Sequence, residues 1–535
     1  MPASPSTARL INDRLALRLL QQEGSLTAGR LKQLTGLSRP TVADLLERLA
    51  ASGLITVVGE SGAQRRGPNA RLYGIVADRA HLAALDVRTG GVLVLVSDLV
   101  GRVLAEVSVP IDGEAGTGAA VERAVGAVER AAREAIQGVG SDGSDSSGGA
   151  AAGSRTSTGE AGVDAEGWAA PAGTSAHGGG RVAFDGAAGS GGGSAWGRLH
   201  TVGIGAPGLV DPATGELRDS SGLPAWHRSL VAALQERLPG ARVTVENETN
   251  LAAVAEQREG VARDRDTFVL LWLGHGVGAA VVLDGTLRRG ASGGTGEIGF
   301  LPVPGTGGLP SATDCEGGFH ALVGAAAIGA LAARGGLPVP GIMDGPGAAR
   351  VVAEAVAALA EPDAAAGRDA SAGAGGAGSS PDAPAGVAGP AADGCRTPEA
   401  GSRTTADDSR TPEAGSRTTA DDSRTPEAGS RTPAVDPRNA ARFLDALADR
   451  VAIGAASVAA LLDPGCVVLG GEVGQAGGAE LAGRVAERLR RMSPLATEVR
   501  ASELGGGAVL RGALLTARDR AQDELFTPPG HRDAL

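Results

Sequence analysis

Two long stretches without apolar periodicity interrupt this chain of 535 residues, and they decide how much of it can build a core. Residues 138–197 are dominated by Gly, Ser and Ala. Residues 361–436 are similar and carry the unit RTPEAGSRTTADDS, read nearly three times from Arg396 onward. Neither has the apolar surface to offset the entropy of ordering its backbone, so both are expected to be disordered inserts. A short repeat can mark a solenoid, but this unit holds no large apolar residue to stack. The remainder, about 400 residues, suffices for a small domain plus a two-lobed one. The expected division is a first domain over 1–77 and a larger one that opens at 78–137, resumes over 198–360 and ends over 437–535.

The net charge of −12 argues against a chain that coats nucleic acid uniformly, yet the charge is unevenly spread. Up to Gly74 there are roughly ten Arg or Lys against five Asp or Glu, so basic character sits at the N-terminus. Cys315, Cys395 and Cys466 lie too far apart for a disulfide framework and point to a reducing compartment. No stretch reaches about 18 apolar residues, and the first residues lack the basic-then-apolar order of a signal peptide. A soluble, cytoplasmic protein with no membrane partner is expected.

Ile11, Leu15 and Leu19 recur every four positions with Arg14 and Arg18 opposite, which predicts an amphipathic helix buried along that apolar row. Thr27 is suited to cap a short helix through Leu34, and Gly36 permits a turn. Ser38 then caps a third helix, with Pro40 tolerated in its first turn. Val42, Leu45, Leu46 and Leu49 give that helix one buried face, and Ser38, Arg39, Thr41 and Asp44 begin the other. Two short helices around a Gly turn, the second polar at its start, form a helix-turn-helix. The strand-like LITVVGE and ARLYGIV flank a hairpin tip and read as a wing bearing Arg65, Arg66 and Arg71. Guanidinium groups there suit phosphate or minor-groove contact. The alternative is a small helical domain for protein contacts with solvated arginines.

From His81 the pattern changes to three apolar runs broken by polar or Gly turns, a β-meander, followed by a helix over about 118–136. TFVLLWLGHGVGAAVVLDG repeats the hairpin-rich pattern with Gly274, Gly276 and Gly278. LLDPGCVVLGGEV is a strand entering the Gly470–Gly471 turn, and a final helix begins after GGG at 505–507. Two meander halves with helices suggest a duplicated α/β domain with a cleft between lobes. Glycines after strands let backbone approach phosphate closely.

The ordered series VGIGAPGLVD, VENETNLAAVAE, LGHGVGAAVVLDG, GGTGEIGF and LLDPGCVVLGGEV resembles the ROK family of repressors and sugar kinases, over about 81–521. With the N-terminal module attached, the chain resembles the repressor branch, typified by xylose and N-acetylglucosamine regulators. The resemblance implies an α/β fold: a winged helix-turn-helix followed by a two-lobed actin-like ATPase (ribonuclease H-like) domain. The resemblance also implies a sugar site in the cleft.

The departures from the family pattern carry information. Family kinases hold ATP phosphate with an Asp-x-Gly-x-Thr turn; here LDVRTGG puts Arg88 at the first Gly, to obstruct phosphate or to pair with it. The family's catalytic Asp is replaced by Glu248, one methylene longer, and a roughly 1 Å misplacement can cost about a hundredfold in rate. Asn247 and Glu248 are also able simply to cap the following helix. The family's zinc module needs a His where Phe300 stands and a Cys-rich loop of which only Cys315 survives, so no metal is expected. By resemblance, sugar hydroxyls fall to Asn247, Glu248, Glu297 and, in place of a family glutamate, His320. By the same resemblance, Gly274, Gly276, Gly278, Gly470 and Gly471 are expected to be remnants of the phosphate loops.

Three functions follow. The first is a regulator, expected to repress, that binds a double-stranded DNA operator as a homodimer or dimer of dimers under control of a sugar or sugar-phosphate effector, with no cofactor and no catalysis. The second is a sugar kinase with a DNA-binding appendage. The third is a DNA-binding protein that ignores ligands. Glu248 is read as a ligand-holding carboxylate inherited from a catalytic base.

Overall fold

The computed structural model describes residues 5–61, 70–141, 196, 198–218, 223–311, 317–372 and 435–526. The chain divides into two compact units, Met1–Leu359 with Val435–Leu535, and Ala360–Ala434. Of the second unit only the helical backbone over 360–372 is described. Both segments expected to be inserts otherwise fall almost wholly outside the described residues, as do Arg65, Arg66, Cys315 and Cys395.

The N-terminal domain runs α1 (Pro5–Glu23), β1 (Leu26–Thr27), α2 (Ala28–Thr35), α3 (Arg39–Ala51), β2 (Ile55–Ser61) and β3 (Ala70–Ile75). Its three strands lie in the order β1-β3-β2, so the wing closes back onto the start of the helix-turn-helix. The caps are those the sequence indicates. The Thr27 hydroxyl accepts from Arg30 N, Ser38 accepts from Thr41 N, and Gly36 ends α2 at φ 70°. Val42, Leu45, Leu46 and Leu49 are all buried.

The expected face of α1 needs correction. Ile11 and Leu15 are exposed, whereas Ala16, Leu17 and Leu20 are buried. These pack in one cluster with Leu82, Leu99, Ala521 and Phe526, side chains from the large domain. An apolar row of period four was present, but the neighbour that fixes the helix rotation lies hundreds of residues away in sequence.

The large domain is built twice on one plan. The first lobe contains β4 (His81–Arg88), β5 (Gly91–Asp98), β6 (Val103–Pro110), α4 (Thr117–Ser141), β7 (Leu199–Ala206), α5 (Trp226–Arg237), β8 (Arg242–Asn247) and α6 (Glu248–Arg258). The second contains β9 (Phe268–Leu273), β10 (Val277–Leu283), β11 (Thr286–Arg288), α7 (His320–Val323), α8 (Ala325–Arg334), α9 (Gly345–Ala372), α10 (Pro437–Leu462), β12 (Cys466–Gly470), α11 (Gly471–Met492), β13 (Glu498–Ala501) and α12 (Ala508–Leu525). Their sheets read β6-β5-β4-β7-β8 and β11-β10-β9-β12-β13, each an antiparallel meander extended by two parallel strands. The meander pattern anticipated this duplication. Helices α4 and α9 run to Ser141 and Ala372, several residues into the segments expected to lack structure.

The helices α6 and α12 join the lobes. Ala252 and Ala253 of α6 pack on Phe268, Leu270 and Val282 of the second sheet. Val509 and Ala513 of α12 share a cluster with Ala84 of the first sheet and with Leu251 of α6. The approach is close: a Cβ on Gly512 would lie 2.0 Å from the Leu251 carbonyl oxygen, and one on Gly203 would lie 2.6 Å from the Ala513 carbonyl oxygen. The far end of α12 docks the N-terminal domain. Gln522 Nε2 donates to Gln21 Oε1 at 2.7 Å and to the Leu99 carbonyl at 3.3 Å, and Gln21 Nε2 donates to the Val100 carbonyl at 3.0 Å.

Candidate effector cleft and nucleic-acid interface

Strand β8 ends in Asn247, whose Oδ1 accepts from Thr249 N (2.9 Å) and Asn250 N (3.3 Å) and so caps α6. Its Nδ2 donates to the Gly208 carbonyl at 2.9 Å, tying the turn after β7 to the helix start. The capping role weighed from sequence is therefore present. Glu248 follows as the first residue of α6. Burial, aided by the charges of Asp86 and Glu472 and opposed by Arg88, raises its carboxyl to about 8.

Asp86 sits at the end of β4, 2% exposed. Arg88 turns back onto it, with Nη2 at 2.6 Å and Nε at 2.9 Å from Asp86 Oδ2, and donates from Nη2 to the Gly506 carbonyl at 2.9 Å. The guanidinium thus links the first turn of the domain to the start of α12. Burial would lower the Arg88 pKa, but the adjoining Asp86, with Glu472 and Glu248, leaves it raised. His227, at the start of α5, is 2% exposed and lies beside the Arg88 backbone. Burial lowers its pKa to about 4, so the ring is neutral.

Glu472 was not singled out from sequence. Strand β12 passes directly into α11 at Gly471, with no intervening loop, and this aims Glu472 at the turn between β9 and β10. A Cβ on Gly274 would lie 2.3 Å from Glu472 Oε2, and one on Gly345 would lie 3.1 Å from Glu472 Oε1. Oε2 is buried without a hydrogen-bond partner, and burial raises the carboxyl pKa. An acid directly after Gly-Gly at a strand end was the signal available. Gly278 faces the Thr249 hydroxyl at Cβ distance 3.5 Å, and Gly470 lies against Leu270.

Glu297, an exposed residue, precedes a short turn of 3-10 helix, Ile298–Phe300, and partial desolvation of its carboxyl raises its pKa. Its charge is felt at Glu248, which places the two in one neighbourhood. His320 opens α7 and lies against Gly276, Gly299 and Gly324, its pKa lowered by burial and by His275. Phe300, where the resemblance calls for a metal-binding His, is partly exposed.

At the other end of the molecule, the start of α3 presents Ser38 and Arg39, both exposed, beside half-buried Thr41. The Ser38 and Thr41 hydroxyls lie 2.7 Å apart, so the cap and the third helical residue are pinned together beside the exposed Arg39. Arg71 on β3 is exposed. Arg48 holds α3 to α1 through Asp13, Nη2 to Oδ1 2.6 Å. Among the described residues no helix is long and apolar enough to cross a membrane.

Comparison with known proteins agrees with this geometry. The model of the ROK family matches residues 193–334 and 432–520, and a winged helix-turn-helix DNA-binding model matches residues 9–56. The glucokinase of Thermotoga maritima is 36% identical over 102 residues, covering 19% of this chain and 32% of the enzyme. The glucokinase of Halalkalibacterium halodurans is 32% identical over 136 residues, covering 25% of this chain and 40% of the enzyme. The chain therefore spans well under half the length of these relatives. A solved ROK family transcriptional regulator, homologous to the E. coli MLC protein, superposes with a TM-score of 0.58 at 17% identity, covering 97% of this chain and 98% of the other. That likeness is one of fold, and it extends through both domains. The chain carries a ROK-family domain behind a winged helix-turn-helix DNA-binding domain, on an actin-like kinase fold.

Proposed function

We propose that this protein is a transcription regulator, a repressor in its ground state, whose cleft takes a sugar as effector and no longer runs kinase chemistry. The observation that carries this reading is the path of α12. Its N-terminal side meets Arg88 through Gly506, and its C-terminal side docks the DNA-binding domain through Gln522. A ligand that moves the lobes must move or strain this helix, and the DNA-binding domain with it. That coupling regulates only if the ligand binds the two lobe arrangements unequally.

The effector is held at the junction of β8 and α6 by Glu248 and Asn247, with Glu297 reaching from the second lobe and His320 flanking it. Carboxylates and amides suit paired sugar hydroxyls. Asp86, Glu248 and Glu472 surround the Arg88 guanidinium, with Glu297 near Glu248, and this excess of carboxyl groups favours an uncharged sugar over a sugar phosphate. The same surroundings speak against ATP: Arg88 is engaged by Asp86, and the Glu472 carboxylate lies against Gly274, where backbone would otherwise approach phosphate. The operator is read by α3, with Arg39 and Thr41 toward the bases and Ser38, Arg71, Arg65 and Arg66 toward the backbone, by a homodimer or dimer of dimers on an inverted repeat. The compartment is the cytoplasm.

The test is capture of fragments of its own genome by the purified full chain, followed by titration of a sugar panel and an ATP-dependent phosphorylation assay. Selective capture released by one unphosphorylated sugar supports the proposal. Capture that no sugar alters points to a ligand-independent DNA-binding protein. Phosphorylation at enzymic rates would make it a kinase.

A further inference from the structure

Between the DNA-binding domain and the large domain lies a cavity of about 370 Å³, lined by Arg14 and Arg18 of α1, Arg258 of α6, and Arg518, Asp519 and Asp523 of α12. Two of the four guanidinium groups have carboxylates beside them. Arg258 Nη2 lies 2.7 Å from Asp519 Oδ2, and Arg14 Nη2 lies 3.6 Å from Asp523 Oδ1. Arg18 and Arg518 form no ion pair among the described residues. Arg518 is the more telling of the two. It is half-buried, its Nε is buried without a hydrogen-bond partner, and it rests on the turn at Gly101. Gly101 has φ +99°, and a Cβ there would lie 3.0 Å from Arg518 Nη1. The backbone conformation favours glycine, and a Cβ there would crowd the guanidinium.

A guanidinium taken partly out of water with no ion-paired carboxylate, as Arg518 is, is costly, and a cavity that sets the exposed Arg18 beside it gains by enclosing an anion. Phosphate is the anion whose oxygens match the guanidinium fork. We infer that this cavity is an anion site for a small phosphate-bearing molecule, held by Arg518 and Arg18 where the DNA-binding domain meets α12. A cavity of this size admits a phosphate group or pyrophosphate and not a duplex, and it is built on α1 and α12 rather than on the start of α3. Burial lowers the Arg518 pKa against the opposing charges of Asp519 and Glu259, with Arg258 adding to the lowering. The inference is independent of what occupies the cleft between the lobes.

The test uses the full chain with inorganic phosphate and pyrophosphate as probes, by calorimetry and thermal shift, against chloride at matched ionic strength. Saturable binding is expected, weakened at least about tenfold in Arg518→Gln and in Arg18→Ala, and unchanged in Arg133→Ala on the exposed side of α4. Arg18 is exposed, so its variant keeps the fold even if Arg518→Gln does not. Equal binding in all variants, or stabilisation that follows ionic strength alone, overturns the site. Loss of binding in Arg39→Ala but not in Arg18→Ala overturns it too, because the anion would then sit on the DNA-reading face.

Discussion

Arg88 Nη2 lies 2.6 Å from Asp86 Oδ2, and the same nitrogen reaches the Gly506 carbonyl at 2.9 Å. One side chain thus neutralises a buried carboxylate and fastens the start of the last helix to the first turn of the domain. Asp86 is almost fully buried, while Arg88 is 43% exposed at its side chain, so solvent screens part of the interaction. Arg88→Ala is expected to destabilise the large domain by about 1–2 kcal/mol near neutral pH, the discounted cost of an unpaired buried charge. Burial raises the Asp86 pKa, so the loss should shrink as the pH falls and the carboxyl takes a proton. Urea unfolding at two pH values measures both.

Glu248 carries a pH signature of its own. Its folded pKa, about 8, lies above the ordinary 4.5, so the folded state holds this proton more tightly than the unfolded chain. Its contribution is fully favourable below pH 4.5, is lost as the pH rises from there toward 8, and then stays constant. Glu248→Gln should remove this slope. The variant is expected to be more stable than the parent at pH 8 and nearly equal to it at pH 4.5. Thermal unfolding across that window decides the matter, and a parallel slope in both proteins would refute a half-buried, proton-holding Glu248.

Glu472 makes a prediction about nucleotide. If its carboxylate excludes phosphate from the turn at Gly274, Glu472→Ala should bind a non-hydrolysable ATP analogue at least about tenfold more tightly than the parent, as expected when one close like charge is removed. Equal, measurable affinity in both would show that the carboxylate swings aside. The variant should also be no less stable, since Oε2 loses no hydrogen bond.

Much of this architecture was legible because its signals are local. Caps at Thr27, Ser38 and Gly36 depend on a few neighbouring residues, and the two meanders follow from alternating apolar runs punctuated by Gly and Asp turns. What stayed hidden depends on partners distant in sequence. The rotation of α1 is set by Leu82, Leu99, Ala521 and Phe526, and the role of Gly512 by the Leu251 carbonyl. Asn247 and Glu248 were found by motif, but that Asn247 bonds the Gly208 carbonyl, and that Glu248 lies near Asp86 and Glu472, needed three strand ends brought together. Glu472 was passed over because a Gly-Gly pair reads as a loop, whereas here it starts a helix and directs a side chain.

Gly512 tests the contact between α6 and α12. A methyl group there would meet a backbone oxygen at 2.0 Å, which no rotamer change relieves. Gly512→Ala is expected to cost about 2–3 kcal/mol despite the gain in helix propensity. Gly126, on the helix α4 with nothing near its Cβ position, is the control: Gly126→Ala should be neutral or stabilising. Equal effects in the two would mean that the lobes are not clamped at this contact.

The docking of the DNA-binding domain yields the prediction closest to function. Gln522 is 9% exposed and donates to both Gln21 Oε1 and the Leu99 carbonyl. Gln522→Ala leaves those acceptors without this donor in a seam also held by apolar contacts, by Gln21 on the Val100 carbonyl and by Arg14 beside Asp523, so the domains should stay together with a looser join. Operator affinity without effector should change little, because α3, Arg39 and the wing are untouched. The response to effector should fall by about fivefold, the equivalent of losing roughly 1 kcal/mol of coupling. Arg39→Ala should do the reverse, weakening operator binding by about 1–3 kcal/mol if it reads a base edge, with the effector response intact. Fluorescence anisotropy on a captured operator, with and without effector, separates the two. A Gln522 variant that responds as the parent does would place the coupling outside α12.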